Sequence, residues 1–263
     1  MSNHGERGER VDNRPKAEPA QAGEDMIIGR NAVLEAIKSC REIDTVYVAK
    51  GERSGSIGMI IGKARESGLV IKETDRRKLD AMCGGANHQG IAARASVHEY
   101  AGIEDMLALA KEKGEEPFLI ILDEIEDPHN LGAIIRSADA CGAHGVIIPK
   151  RRGAALTYAV GKVSAGAVEY VPVARVPNLA RTIDELKKKG FWIYGADMDG
   201  ERWDKVDYSG AVALVIGNEG KGISRLVREK CDYIVSLPMK GKINSLNASV
   251  AAGILMYEVI KHR

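Results

Sequence analysis

Apolar and polar positions along this chain follow two periods, and the switches between them outline an α/β protein. Residues 31–39 place Val33, Ala36 and Ile37 on one face at helical spacing. Residues 45–49 alternate as a strand, 56–67 read as a second helix closed by Gly68, and 69–73 as a second strand. A short helix over 76–82, the Gly84-Gly85 breaker and a strand over 90–95 complete a unit that is small but able to bury a core.

A connector with some helical character follows and ends in a charged Lys-Glu-Lys-Gly-Glu-Glu run. After Pro117 the run Phe118-Leu119-Ile120-Ile121-Leu122 is apolar without alternation, as in a strand buried on both faces. Strands are then expected over 118–122, 145–148, 168–173, 191–196, 211–216 and 233–237, and helices over 130–141, 157–164, 178–189, 223–230 and 246–261. That alternation predicts a mostly parallel sheet covered by helices. The expected division is a disordered tail over 1–25, a small domain over 26–97, a linker over 98–116 and a larger domain over 117–263.

Composition narrows the class without naming it. The chain has 263 residues, 44% of them hydrophobic, and a formal net charge of +1, so it expects a packed core and no strong overall pull on polyanions. Cys40, Cys83, Cys141 and Cys231 are far apart and form no C-x-x-C pair, which argues against zinc and against a disulfide framework; no metal is expected. The polar start has no signal-like apolar core, and no apolar run approaches the ~20 residues of a membrane helix. A cytoplasmic protein that engages no membrane is the expectation.

Three segments carry candidate chemistry at the ends of predicted strands, where α/β proteins bind ligands. In the first, Asp127-Pro128 marks a turn, Asn130 suits a helix N-cap, and His129 reads as a structural or surface histidine. Leu131, Ile134, Ile135 and Ala138 form the apolar stripe of the helix that follows; Arg136 lies roughly 150° from its centre and points away from the core. In the second, Gly217-Asn218-Glu219-Gly220-Lys221-Gly222, Gly222 follows the lysine where a P-loop needs Ser or Thr, and Arg225 replaces the last glycine of a dinucleotide fingerprint. A tight turn or a ligand contact on bare backbone both remain open there. The third runs from Leu237-Pro238-Met239 to Ser245-Leu246-Asn247, where Ser245 and Asn247 can serve as caps or as ligand contacts at a helix start. The helix beyond is apolar nearly all round, which favours burial in the core or a symmetric dimer.

Together, in this order, these segments resemble the SpoU branch of the knotted (SPOUT) RNA methyltransferases. D-P-H-N-L-G-A-I-I-R-S-A-D-A, L-V-I-G-N-E-G-K-G-I and I-V-S-L-P-M-K-G-K-I-N-S-L-N-A-S-V-A look like its three motifs. I-I-G-R-N-A-V-L-E-A-I and N-H-Q-G-I-A-A-R resemble the ribosomal-protein-L30e-like RNA-binding domain that many members carry. The likeness is greatest to members that methylate a guanosine 2′-hydroxyl of large-subunit ribosomal RNA, from which the long N-terminal tail departs. The resemblance implies S-adenosylmethionine as donor, RNA as substrate, a homodimer and a trefoil knot; pattern alone predicts an ordinary open sheet. It implies cofactor contacts at Gly195, Ile216, Gly217, Leu237, Pro238, Met239, Leu246 and Asn247. It assigns catalysis to Arg136, with Asn130, Glu219, Ser245 and Asn247 orienting the arginine, ribose or cofactor. Because arginine stays protonated, Arg136 is expected to stabilise a developing alkoxide, and Glu219 to hold it through a charge-assisted pair. RNA contacts are expected at Arg30, Asn31, His88, Gln89, Lys150, Arg151 and Arg152, without aromatic stacking as the main mode, since aromatics make up only 5%. Methylation of transfer RNA, methylation of another ribosomal site as in thiostrepton resistance, and non-catalytic ribosome assembly are the alternatives.

Overall fold

The computed structural model describes residues 25–263 apart from Cys40 and Ser54, so the expected tail lies, but for Asp25, outside the described residues. Asp25 is already anchored: its carbonyl accepts from the Ala95 amide at 2.8 Å and its carboxylate lies 3.1 Å from Arg94 Nε.

The small domain runs β1 (Met26–Ile28), α1 (Arg30–Lys38), β2 (Ile43–Ala49), α2 (Ile57–Glu66), β3 (Ile71–Thr74), α3 (Arg76–Met82) and β4 (Ile91–Ala95). Its sheet has the order β1-β4-β2-β3, with β2 and β3 parallel and the other pairs antiparallel. Val33, Val46, Ile57, Ile60 and Ile91 are fully buried in its core. β1 was not foreseen, because three apolar residues are too few to show a period; pairing with β4 makes it a strand.

The larger domain continues with α4 (Ile103–Lys113), β5 (Phe118–Leu122), α5 (Pro128–Ala140), β6 (Gly145–Pro149), α6 (Tyr158–Val163), β7 (Val173–Val176), α7 (Leu179–Lys188), β8 (Trp192–Arg202), β9 (Val212–Ile216), α8 (Arg225–Arg228), β10 (Tyr233–Ser236) and α9 (Ala248–Lys261). Six strands in the order β10-β8-β9-β5-β6-β7 form a sheet whose pairs are all parallel. Every residue of β5 is buried, as the unalternating run predicts. Ile134, Ile135, Val160, Leu255 and Val259 pack with one face of the sheet, and Met106, Ile183, Leu186 and Val227 with the other.

Three sequence expectations change. The strand placed over 168–173 is instead a 3₁₀ turn at Ala167–Glu169, entered through Gly166 at φ 89°, and the strand begins at Val173. Ala167, Val168 and Val171 bury their side chains from that turn, so apolarity there reports burial rather than strand. The expected linker, read with some helical character, does hold α4, but it is part of the larger domain's core rather than a bare connector: fully buried Met106 packs there, and a Cβ on Gly145 would sit on its sulfur. β8 outruns its predicted end, and its pairing with β10 shifts register between Ile234 and Val235.

Because the strands are parallel, the segments that leave β5, β6, β8, β9 and β10 emerge at one edge of the sheet.

Candidate active site

At that edge a cleft opens to solvent, about 820 Å³ with its open mouth counted. Its apolar wall comes from Ile216 at the end of β9, Val235 in β10, Leu237 and Leu246 in the loop beyond, and Leu255 in α9. Two glycines shape its floor. A Cβ on Gly217 would lie 2.3 Å from the Gly222 carbonyl carbon, and Gly222 itself sits at φ 68°. The loop folds back at an Asn218–Gly222 bridge, and Asn218 Oδ1 accepts from the amides of Gly220 (3.0 Å) and Lys221 (3.3 Å).

A polar network crosses the cleft rim and joins all three motifs. Asn130 Nδ2 donates to Glu219 Oε1, and Asn247 Nδ2 donates to Asn130 Oδ1 at 2.8 Å. Glu219 Oε1 also receives Asn247 Nδ2 at 3.4 Å and the Ala248 amide at 3.5 Å. Asn247 is the N-cap of α9 as well, accepting from the Ser249 amide at 3.0 Å and the Val250 amide at 3.3 Å. It is therefore both cap and bridge, and cannot rotate without releasing one or the other.

The expected residues divide accordingly. Ile216, Gly217, Leu237, Met239, Ser245, Leu246 and Glu219 line the cleft. Gly195 is buried beneath it: a Cβ there would lie 2.8 Å from Cys231 Sγ and 2.9 Å from Ile223 Cδ1, so its bareness serves packing. Pro238, Asn130 and Asn247 stand outside the lining, the two amides through the network just described. Asn130 is not the cap of α5. Asp127 is, accepting from the His129 amide at 2.9 Å, and Asn130 sits inside the helix at 7% exposure. Arg136 is exposed on α5, as its helical angle predicts, and has no hydrogen bond or ion pair among the described residues. The expected Glu219–Arg136 pair is thus absent; Glu219 takes neutral amide donors instead.

The RNA candidates also separate. His88 is 2% exposed, with Nδ1 accepting from the Gly90 amide and Nε2 facing Asp80 Oδ1, both at 2.9 Å. It shapes its loop and does not offer its ring to RNA. Gln89, at φ 52°, takes Arg30 Nε on its carbonyl at 3.0 Å, so half-buried Arg30 and exposed Gln89 form one corner with exposed Asn31 following. Lys150, Arg151 and Arg152 are exposed on the loop after β6. Arg152 Nη1 reaches Glu124 Oε1 at 2.7 Å, and Lys221 of the cleft loop lies 3.7 Å from the same carboxylate. That hydrogen bond from Arg152, with the charge of Lys221, holds the Glu124 carboxyl below its ordinary range.

Sequence reading missed Asp197. It lines the cleft from β8, and its Oδ2 takes Arg228 Nη1 at 2.6 Å. The D-M-D-G stretch gave no sign, since a polar end to a strand is ordinary. With Asn218 and Ser245 it offers acceptors to hydroxyl and ammonium groups, while the apolar wall suits a purine. The lining therefore fits an adenosyl amino acid.

A small domain docked beside a parallel-sheet domain, with such a cleft at the strand ends, has the build of a two-domain α/β enzyme. Residues 117–257 match the SpoU rRNA Methylase family, and residues 26–101 match the RNA 2′-O ribose methyltransferase substrate binding domain. The chain belongs to the SpoU/TrmH family of RNA methyltransferases. It is 51% identical over 240 residues to the putative TrmH family tRNA/rRNA methyltransferase YacO of Bacillus subtilis, covering 91% of this chain and 96% of that one. A relative from Staphylococcus haemolyticus, a putative TrmH family tRNA/rRNA methyltransferase, is 47% identical over 243 residues, covering 90% and 96%. Among solved structures it is similar to the SpoU methyltransferase AviRb of Streptomyces viridochromogenes in complex with AdoMet, at 26% identity and TM-score 0.57, covering 90% of each chain. S-adenosylmethionine is the family's methyl donor. No described helix is long and apolar enough to cross a membrane, and no group of three or more His, Cys, Asp or Glu gathers as a metal site among the described residues.

Proposed function

We propose that this protein transfers a methyl group to the 2′-hydroxyl of a guanosine ribose in large-subunit (23S) ribosomal RNA. The observation that carries the reading is the Asn130–Glu219–Asn247 network, which ties the three motifs into one rim over the cleft.

S-adenosylmethionine bound there would supply an electrophilic methyl on a sulfonium. Ile216, Leu237, Met239 and Leu246 would hold its adenosine, and Asp197 and Asn218 would orient its polar groups. Glu219 keeps Asn130 and Asn247 in place through Oε1, which leaves Oε2 for the RNA hydroxyl. Arg136 stabilises the alkoxide that develops on that hydroxyl, a task suited to a permanent cation. Ser245 orients the ribose. Arg30, Asn31, Gln89, Lys150, Arg151 and Arg152 carry RNA phosphates, Arg151 and Arg152 at the same sheet edge as the cleft.

The reading includes a homodimer and the family's trefoil knot, formed by the chain over 214–257. α9 exposes Val250, Ile254 and Tyr257 in register along one face, an apolar stripe that a second copy would cover. The described cysteines Cys83, Cys141 and Cys231 are unpaired, in keeping with a reducing cytoplasm where ribosomal RNA is processed.

Labelled S-adenosylmethionine incubated with ribosomal RNA from cells that lack the protein, followed by mapping of the methylated ribose, tests this. One labelled guanosine 2′-oxygen in 23S RNA is expected. Label confined to transfer RNA would move the substrate, and label in no RNA would leave an assembly role.

A further inference from the structure

The two domains meet at a buried carboxylate. Asp44 lies in β2 at 1% exposure, at the point where the pairing of β2 with β4 slips between Ile43 and Thr45. Such a bulge re-aims one side chain out of the alternating pattern. Asp44 Oδ1 accepts from Arg175 Nη1 of β7 at 2.7 Å and from the Tyr100 hydroxyl at 2.8 Å, and its backbone carbonyl accepts from Arg175 Nη2 at 2.9 Å. The Arg175 guanidinium also lies over the Tyr100 ring, 5.4 Å from its centroid, and reaches the Lys150 carbonyl at 3.4 Å. The Tyr100 oxygen in turn accepts from the Leu156 amide at 3.1 Å. Small domain, connector, edge strand and basic loop are thus tied at one point. The connector is pinned on either side of Tyr100: the Val97 amide donates to Leu156 O at 3.2 Å and the Ala101 amide to Val173 O at 2.9 Å.

This junction is poorly explained as a device for stability. A buried ion pair recovers little more than its desolvation cost, and a hydrophobic replacement often does as well. Asp44 Oδ2 is buried without a hydrogen-bond partner among the described residues, so the pair is not even fully satisfied. What such a pair supplies is direction, because a forked guanidinium fits one approach. We propose that Asp44, Arg175 and Tyr100 are positioning residues that fix the substrate-binding domain in one orientation over the catalytic edge. RNA held on the small domain then presents its ribose to the cleft without a search.

The inference rests on the small domain being the RNA-holding unit, and its test keeps the two apart. Hydrogen exchange of the full chain, without RNA, reads the lock directly. In Asp44→Asn and in Tyr100→Phe the amides of Val97, Tyr100 and Ala101 should exchange faster, while those of Ala248 and Ser249 at the cleft are unchanged. Steady-state methylation then reads the consequence. If the aligned fraction falls to about a tenth, KM for RNA rises about tenfold, with kcat and the affinity for S-adenosylmethionine kept. Should Asp44→Asn fail to fold, Tyr100→Phe, which removes one oxygen, decides alone. Unchanged exchange at 97–101 overturns the lock, and faster exchange with an unchanged KM overturns its role in positioning. If the wild-type chain methylates no RNA, the functional reading fails while the exchange arm still decides the lock.

Discussion

Two carboxylates in this molecule do the same topological job in opposite electrostatic settings. Glu219 joins segments up to 89 residues apart, and Asp44 joins segments 131 apart. Glu219 is exposed and takes only neutral N–H donors from Asn130, Asn247 and the Ala248 backbone. Asp44 is buried and takes a guanidinium and a phenol. Amide donors organise a charge without cancelling it, so the rim keeps a negative group for chemistry. A guanidinium in a dry junction cancels it, so the junction keeps only geometry.

The largest expected effect breaks the second case. Arg175→Ala leaves Asp44 buried without its counter-charge, with only the Tyr100 hydroxyl on it, and loss of one partner of a buried ion pair typically costs about 3–5 kcal/mol. Chemical denaturation should show that loss, against near-neutral stability for Arg136→Ala, whose side chain is exposed and unpaired among the described residues. The order reverses for catalysis. Arg136→Ala removes an oxyanion-type donor worth about 2.7–4 kcal/mol, so methyl transfer should fall at least about a hundredfold with cofactor affinity kept. Full activity in that variant would remove Arg136 from the mechanism.

Glu219→Gln sharpens the first case. It keeps an oxygen for Asn130 and Asn247 but removes the charge, and a hydrogen bond to a charged group is worth about 1.5–3 kcal/mol. The rate should drop by about ten- to a hundredfold with little change in Tm. A large fall in Tm with an unchanged rate would make Glu219 a structural tie like Asp44. The pH dependence separates the pair again. Burial pushes the Asp44 carboxyl above its ordinary value of 3.8, outweighing the opposing pull of Arg175. Folded protein then holds that proton at a pH where the unfolded chain has lost it, so this group's contribution is full below about pH 4. It declines as pH rises through the raised folded value. The stability of wild type relative to Asp44→Asn should therefore fall as pH rises above about 4 in urea titrations.

The two sites were not equally legible. The cleft was visible because its parts fall where sequence has clear punctuation: an apolar strand, then Gly217 to Gly222, or an apolar strand, then Leu237-Pro238-Met239. Partners within the rim were misassigned for a physical reason. Asn130 two residues after a proline looks like a cap, but Asp127 starts the helix earlier and frees Asn130 to face Glu219. Charge logic likewise paired Glu219 with Arg136, since sequence does not show how far a helix carries a side chain from a loop. The junction gave no sign at all. Asp44 in I-D-T-V-Y-V-A stands just before the alternating stretch 45–49, and its burial rests on the bulge and the docking of β7. A contact across 131 residues has no local period to betray it.

Arg152 offers the smallest effect and the finest distinction. Its pair with Glu124 resembles the junction pair in partners and length, 2.7 Å in each. The Arg152 side chain is 75% exposed, however, against 13% for Arg175. Water screens an exposed pair and leaves its energy near zero, so Arg152→Ala should leave Tm unchanged where Arg175→Ala lowers it. What Arg152 retains is an uncancelled reach toward phosphate at the cleft edge. If it contacts one phosphate, RNA affinity should weaken and the slope of log K against log salt should become shallower by about 1. An unchanged slope would show that Arg152 serves only to hold Glu124 beside the cleft loop.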